Sequence, residues 1–226
     1  MWHSINDPLF AAVESDIVGY TTVEIGQGSH LISIPFEALD GEEATFPIQS
    51  ITGTMNSGSL SGDKLLVWDR DQNSYTLYRW RGGDIGWVKG AEGTPTSDVI
   101  RPNQGVFFSS MRGGSTLTVA GKVSAKDSQT VVLEQGSTFL ANPYPCDLPI
   151  ASLQGTFTAG SLSGDKILRW DTTQKQYVLY RYTSRGWIKG TEATETTDSI
   201  SSGEGFVFSH MKSGTSSITF TSPLNN

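Results

Sequence analysis

The sequence predicts an all-β protein, and three observations carry that reading. The composition is the first: 226 residues hold 25 glycines and 36% apolar side chains. Thr, Ser, Val, Ile, Tyr and Trp recur in short runs while Ala and Leu concentrate nowhere, a bias toward strands. Second, apolar residues alternate with a period of two, as on a half-buried strand. In "YTLYRW", Tyr75, Leu77 and Arg79 fall on one face, and Thr76, Tyr78 and Trp80 on the other. Third, the chain repeats itself. Residues 58–80 and 160–182 are identical at 15 of 23 positions at an offset of 102, and internal repetition of this kind marks a duplicated structural unit.

The strands follow in order along the first copy. "IVGYTTVEI" predicts a strand over 17–25 and "SHLISIP" one over 29–35. Further runs predict strands at 48–54, 63–69, 75–81, 86–89, 105–109 and 115–123. The segments "WDRDQNSY" and "RWRGGDIGW", rich in Asp, Asn and Gly, form the turns between alternating runs. No window has helical periodicity, so helix content should be very low. The second copy repeats the plan. "GWIKG" at 186–190 answers "GWVKG" at 86–90, "EGFVFSHM" at 204–211 answers "QGVFFSSM" at 104–111, and "GSTFLANPY" at 136–144 answers "GSHLISIPF" at 28–36. The expected architecture is two tandem homologous β-sandwich units, jelly-roll or Ig-like, each of about eight short strands. Their bounds are 16–119 and 120–226, behind an extended arm at 1–15. "STLTVAGKV" at 115–123 matches "SSITFTS" at 216–222 at its front and "IVGY" at 17–20 at its back. The last strand of one unit is therefore expected to run straight into the first strand of the next.

A net charge of -7 and scattered Lys and Arg argue against nucleic acid as a partner, since phosphate-backbone binding depends on clustered cations. No stretch approaches the roughly 18 consecutive apolar residues of a membrane-spanning helix, so no membrane insertion is expected. Cys146 is the sole cysteine, which excludes an intrachain disulfide and leaves a buried, inert thiol or a link between chains. The opening "MWHSINDPLF" has no basic region ahead of a long apolar run, yet "LFAAVESD" resembles the end of an export signal. Either the start replaces a true signal or the segment is a flexible arm.

Candidates for chemistry dissolve on comparison of the copies. Asp69, Asp71 and Asn73 imitate the first half of a calcium loop but lack its glycine and distal glutamate. The second copy reads Asp171-Thr172-Thr173-Gln174-Lys175, so a hairpin turn with Asp69 and Asp171 bonded to their own backbone explains both. His3, His30 and His210 have no partner at metal-ligand spacing. His30 and His210 are replaced in the other copy by Thr138 and Ser110. No nucleophile elbow and no phosphate-cradling loop is present; "GSLSGDK" leads into a strand, with Asp63 and Asp165 expected to cap turns. No catalytic residue, metal or cofactor is expected. The pairs Asp69–Arg79 and Asp171–Arg181 are expected as surface ion pairs. The copies do share aromatics. Trp68, Trp80, Trp87, Trp170 and Trp187 could form glycan-stacking platforms, although such residues more often fill a β core.

"GSHLISIP" and "GSTFLANPYP", followed by "LLVWDRDQNSYTLYRW" or its copy, "GWIKG" and "ISSGEGFVFSH", resemble the G-x-x-L-I-x-N-P, Y-x-W and P-G-x-G-F-x-V motifs of uncharacterised secreted bacterial β-repeat proteins. The resemblance spans nearly all of both copies and implies a β-repeat fold and export, because members begin with a signal followed by an "IVGY" strand, matched here at Asp16–Tyr20. It is silent on catalysis. The chain departs from the pattern at its first residues and at "SIPF", 33–36, where Ile34 replaces the motif's Asn.

The function expected from these readings is that of a secreted, extracellular or cell-surface structural protein whose partners are copies of itself. The arm residues Phe10, Ala12 and Val13, with Ile17, Val18 and Tyr20 of the first strand, would add to a sheet edge of a neighbour, and a head-to-tail contact of that type grows into a filament. The rivals are a carbohydrate-binding module of the bacterial surface using the five tryptophans, and a hydrolase built from residues particular to one copy, such as Glu42, Glu43 or His210.

Overall fold

A computed structural model describes residues 16–40, 44–58, 61–70, 72–161, 163–171 and 173–225. Among these the protein is all-β, a sandwich built around two apolar cores. Strands β1 (Val18–Ile25), β2 (Gly28–Ile32), β3 (Phe46–Pro47), β4 (Lys64–Asp69), β5 (Ser74–Trp80), β6 (Trp87–Lys89), β7 (Val99–Ile100), β8 (Val106–Ser110) and β9 (Ser115–Lys122) surround the first core. The second is enclosed by β10 (Ser128–Leu133), β11 (Gly136–Ala141), β12 (Leu148–Pro149), β13 (Gln154–Gly155), β14 (Lys166–Asp171), β15 (Gln176–Thr183), β16 (Gly186–Lys189), β17 (Ser199–Ile200), β18 (Gly205–His210) and β19 (Ser216–Thr221).

The two halves have matching sheets. One antiparallel sheet runs β2-β8-β4-β5-β6 and its counterpart β11-β18-β14-β15-β16. Each is faced by a smaller sheet, β1-β9 in one half and β10-β19-β13 in the other. The first core lies between the layers: Leu65, Tyr78, Trp87 and Phe108 of the large sheet meet Ile25, Leu117 and Val119 of the small one. In the second core Ile167, Tyr180, Trp187 and Phe208 meet Leu133, Ile218 and Phe220. Strand alternation produces this arrangement. Along β4, Leu65 and Val67 are buried while Leu66 and Trp68 turn to the other face.

Several expectations need correction. The span 48–54 is not a strand. Pro47 leads into a 3-10 turn at Ile48–Ser50, closed by the Ile51 amide donating to the Ile48 carbonyl at 3.1 Å, and the rest of the span meets the sheet at single points, Thr52 bridging Thr118 and the Thr54 carbonyl accepting from the Thr116 amide at 2.8 Å. Nor does a junction strand pass from one half into the other. β9 pairs with β1 along its whole length, so the boundary expected at 119/120 falls inside a strand. The crossing is made by residues 123–127, and β10, paired with β19, corresponds to β1. The pairs Asp69–Arg79 and Asp171–Arg181 do not form either. Register places Lys64 opposite Arg79 and Lys166 opposite Arg181, leaving the aspartates at the far hairpin ends. There Asp69 Oδ1 accepts from the Gln72 amide at 3.0 Å, and Asp171 Oδ1 from the amides of Thr173 and Gln174 at 2.8 Å.

The halves meet through a reciprocal seam. The Ser33 amide donates to the Gly203 carbonyl at 2.9 Å and the Ala141 amide to the Asn103 carbonyl at 3.1 Å, the same bond made in both directions. Gly105 also donates to the Phe139 carbonyl at 3.1 Å. The backbones approach so closely that a Cβ at Gly105 would lie 2.7 Å from the Leu140 carbonyl oxygen, and one at Gly205 would lie 2.7 Å from Leu31 Cγ. Glycine is required at both places by the approach of the other half.

Candidate functional sites at the seam and at the first strand

Two grooves flank the seam, each lined by residues from both halves. One, of about 730 Å3, is lined by Trp68, Asp69, Tyr78, Lys89, Asp98 and Gln104, with Thr138 and Phe139 across the seam. The other, about 520 Å3, is lined by the counterparts Trp170, Asp171, Tyr180, Lys189, Asp198 and Glu204, with His30 and Leu31 across the seam. Both volumes fall within the range of about 300–1,000 Å3 usual for small-molecule sites.

The same polar cluster recurs in each groove. The Tyr78 hydroxyl donates to Asp98 Oδ2 at 2.6 Å, and Lys89 Nζ lies 2.9 Å from the same oxygen. In the second groove, Tyr180 donates to Asp198 Oδ2 at 2.6 Å, with Lys189 Nζ at 2.9 Å. Hydrogen bonds from the tyrosine first and the lysine second hold both carboxyls below the usual carboxylate range. Both phenols are pushed well above their ordinary value, first by burial and then by the bond to aspartate. Every member of the cluster is already paired, so it fixes the groove wall and leaves no free base.

The grooves differ beyond this cluster. Arg169 Nε and Nη2 fork onto Glu204 Oε1 and Oε2 at 2.8 and 2.9 Å, closing an ion pair across the second groove. In the first groove the same positions are Val67 and Gln104, and Gln104 Nε2 donates to the Trp68 carbonyl at 3.4 Å. Sequence reading missed this pair because Arg169 and Glu204 are far apart in the chain. The available signal was that both positions change together between the copies.

The predicted glycan residues separate into two sets. Trp87 and Trp187 are core residues, fully enclosed, with Trp87 Nε1 donating to the Ile51 carbonyl at 3.1 Å. Trp80 packs edge-on against Trp87 at 5.4 Å. Trp87 and Trp187 present no ring face to a ligand and are withdrawn as glycan contacts, while Trp80 is half-buried against the first core. Trp68 and Trp170 lie on the opposite sheet face, in the grooves, each edge-on to a tyrosine: Tyr75 at 4.8 Å and Tyr177 at 5.0 Å.

The assembly residues also separate. Phe10, Ala12 and Val13 lie outside the described residues, as do Glu42 and Glu43. Ile17, Val18 and Tyr20 are 73%, 58% and 77% exposed. β1 pairs with β9 on one side, and among the described residues its small sheet ends there. The corresponding end of β10 carries Ser128 and Thr130 at its exposed positions.

His210, the remaining hydrolase candidate, is buried and its Nδ1 lies 3.0 Å from Asp165 Oδ1, which also accepts from the Met211 amide at 3.1 Å. It is enclosed beneath the surface rather than placed in a groove. Among the described residues no group of three metal-ligating side chains comes together, and no helix is long and apolar enough to cross a membrane. Comparison of the chain with protein-family models, curated proteins and solved structures found no match, so its reading rests on its own geometry.

Proposed function

We propose that the chain is a secreted structural protein that associates with copies of itself at the cell surface, the contact being strand addition along the outer edge of β1. The observation that carries this reading is the apolar edge formed by Ile17, Val18 and Tyr20. Exposed strand edges present unpaired amides and carbonyls to other chains, and proteins that remain monomeric commonly blunt them with charge, proline or bulges. Here the edge is apolar where its counterpart on β10 is polar. The occupant is the leading segment of a second copy, which carries the apolar side chains Phe10, Ala12 and Val13. Burial of a Val- or Ile-sized side chain contributes about 1.5–3 kcal/mol, offset by the cost of association. A head-to-tail contact repeats into a filament. Electron microscopy of the full chain and of a chain lacking residues 1–15 tests this. Filaments from the first and single particles from the second support it; single particles from both reject it.

A second reading has its own support. Trp68 and Trp170 lie in grooves beside carboxylates and cations, an arrangement suited to the flat faces and hydroxyls of sugars, and the chain would then be a carbohydrate-binding module of the cell surface.

A further inference from the structure

We infer that the groove at Trp68 takes an acidic carbohydrate, a sugar chain bearing carboxylates, while the groove at Trp170 does not; this rests on the carbohydrate reading above. The two grooves share one scaffold, so their differences can be compared position by position. The Trp170 groove carries four carboxylates, Glu24, Asp171, Asp198 and Glu204, against the cations Arg169 and Lys189. Both cations are consumed internally, Arg169 by Glu204 and Lys189 by Asp198. An incoming carboxylate would have to displace a two-pronged ion pair among unpaired acids.

In the Trp68 groove the balance reverses. It carries Asp69 and Asp98 against Arg70, Lys89 and Arg101. Lys89 is held by Asp98, but Arg101 is exposed and makes no ion pair among the described residues. Arg70 is exposed as well and lines the same groove, anchored across the seam by Nη2 donating to Thr138 Oγ1 at 2.8 Å. Guanidinium groups bind carboxylates through paired hydrogen bonds. The same groove offers an apolar surface. Trp68 and Phe139 meet edge-on at 6.3 Å, and Val99 and Val132 are exposed at the groove, where the other groove has Ser199 and Glu24. Aromatic and aliphatic surface for the C–H face of a sugar, in one groove with two guanidiniums that make no ion pair among the described residues, specifies a ligand that is both a saccharide and an acid.

Calorimetric titration of the full chain with an oligogalacturonate, and with a neutral oligogalactoside of equal length, tests this. The acidic oligomer should bind, and the neutral one should bind at least about tenfold more weakly, the scale of one charged hydrogen bond. Arg101→Ala and Trp68→Ala should each lower affinity about tenfold, with Trp170→Ala unchanged. Equal binding of the neutral oligomer would overturn the acidic specificity and leave the carbohydrate reading standing. Equal binding of polyglutamate would reduce the site to a plain anion contact and overturn it. No binding of either sugar would remove both.

Discussion

Asp98 and Asp198 each gather a phenol and an ammonium onto one carboxylate oxygen, and the consequence is a definite pH response. Their carboxyls titrate below the ordinary range in the folded chain. The stability they contribute is therefore complete above the unfolded value, about 4, and fades as pH falls from there through the folded value. The partners act on the alkaline side. Tyr78, Tyr180, Lys89 and Lys189 have raised values in the fold, so what they contribute is present below about pH 10 and is lost as pH rises beyond it. The double variant Asp98→Asn/Asp198→Asn should lose about 1 kcal/mol per site near neutrality, and its deficit should shrink in thermal melts taken below about pH 4. A deficit constant across that range would rule the clusters out as the source. His210 is a second residue-scale case. His210→Ala removes one of the partners of the fully buried Asp165 Oδ1 and should cost about 1–3 kcal/mol by chemical denaturation. Ser110→Ala, at the matching site, removes only a 3.3 Å hydroxyl contact with Ser115 and a bond from the Gly113 amide, and should cost less.

At the scale of the element, β1 and the seam are the segments with most at stake. Val18→Lys/Tyr20→Lys places two charges on the exposed positions of β1 without entering the core, so the fold should survive with an unchanged circular dichroism spectrum while assembly is lost, as read by light scattering. At the seam, Gly105→Ala pushes a methyl against the Leu140 carbonyl and should lower stability by about 1–3 kcal/mol, measured by the denaturation midpoint, whereas alanine at Gly83, where added atoms meet nothing within 4 Å, should have little effect. Strands such as β4 and β5 were legible in the sequence because short runs of apolar and aromatic residues, Leu65–Trp68 and Tyr75–Trp80, are bounded by the turn residues Asp69 to Ser74, a local pattern. The turn at Ile48–Ser50 was not, since "IQSIT" has strand composition and only its placement after Pro47, with the Ile48 amide bonded to the Asp98 carbonyl at 3.0 Å, makes it curl. Trp68 and Trp170 were among the named candidates, but Trp87 belongs to the same class by composition and lies in the core. What separates them is strand phase, and a one-residue difference in phase exchanges faces.

For the whole molecule, repetition in the sequence announced two similar halves but not how they face each other. That relation depends on bonds such as Ser33 to Gly203 and Ala141 to Asn103, which pair surfaces with no common local signature. The seam resembles the contact in a dimer with twofold symmetry, where each partner gives what it receives. Two separate identical chains meeting this way could never carry different side chains in their two clefts, because a single gene would write both. Joined in one polypeptide, the partners are free to change independently, so that Arg169 and Glu204 can bridge one cleft while Val67 and Gln104 leave its counterpart without an ion pair at those positions.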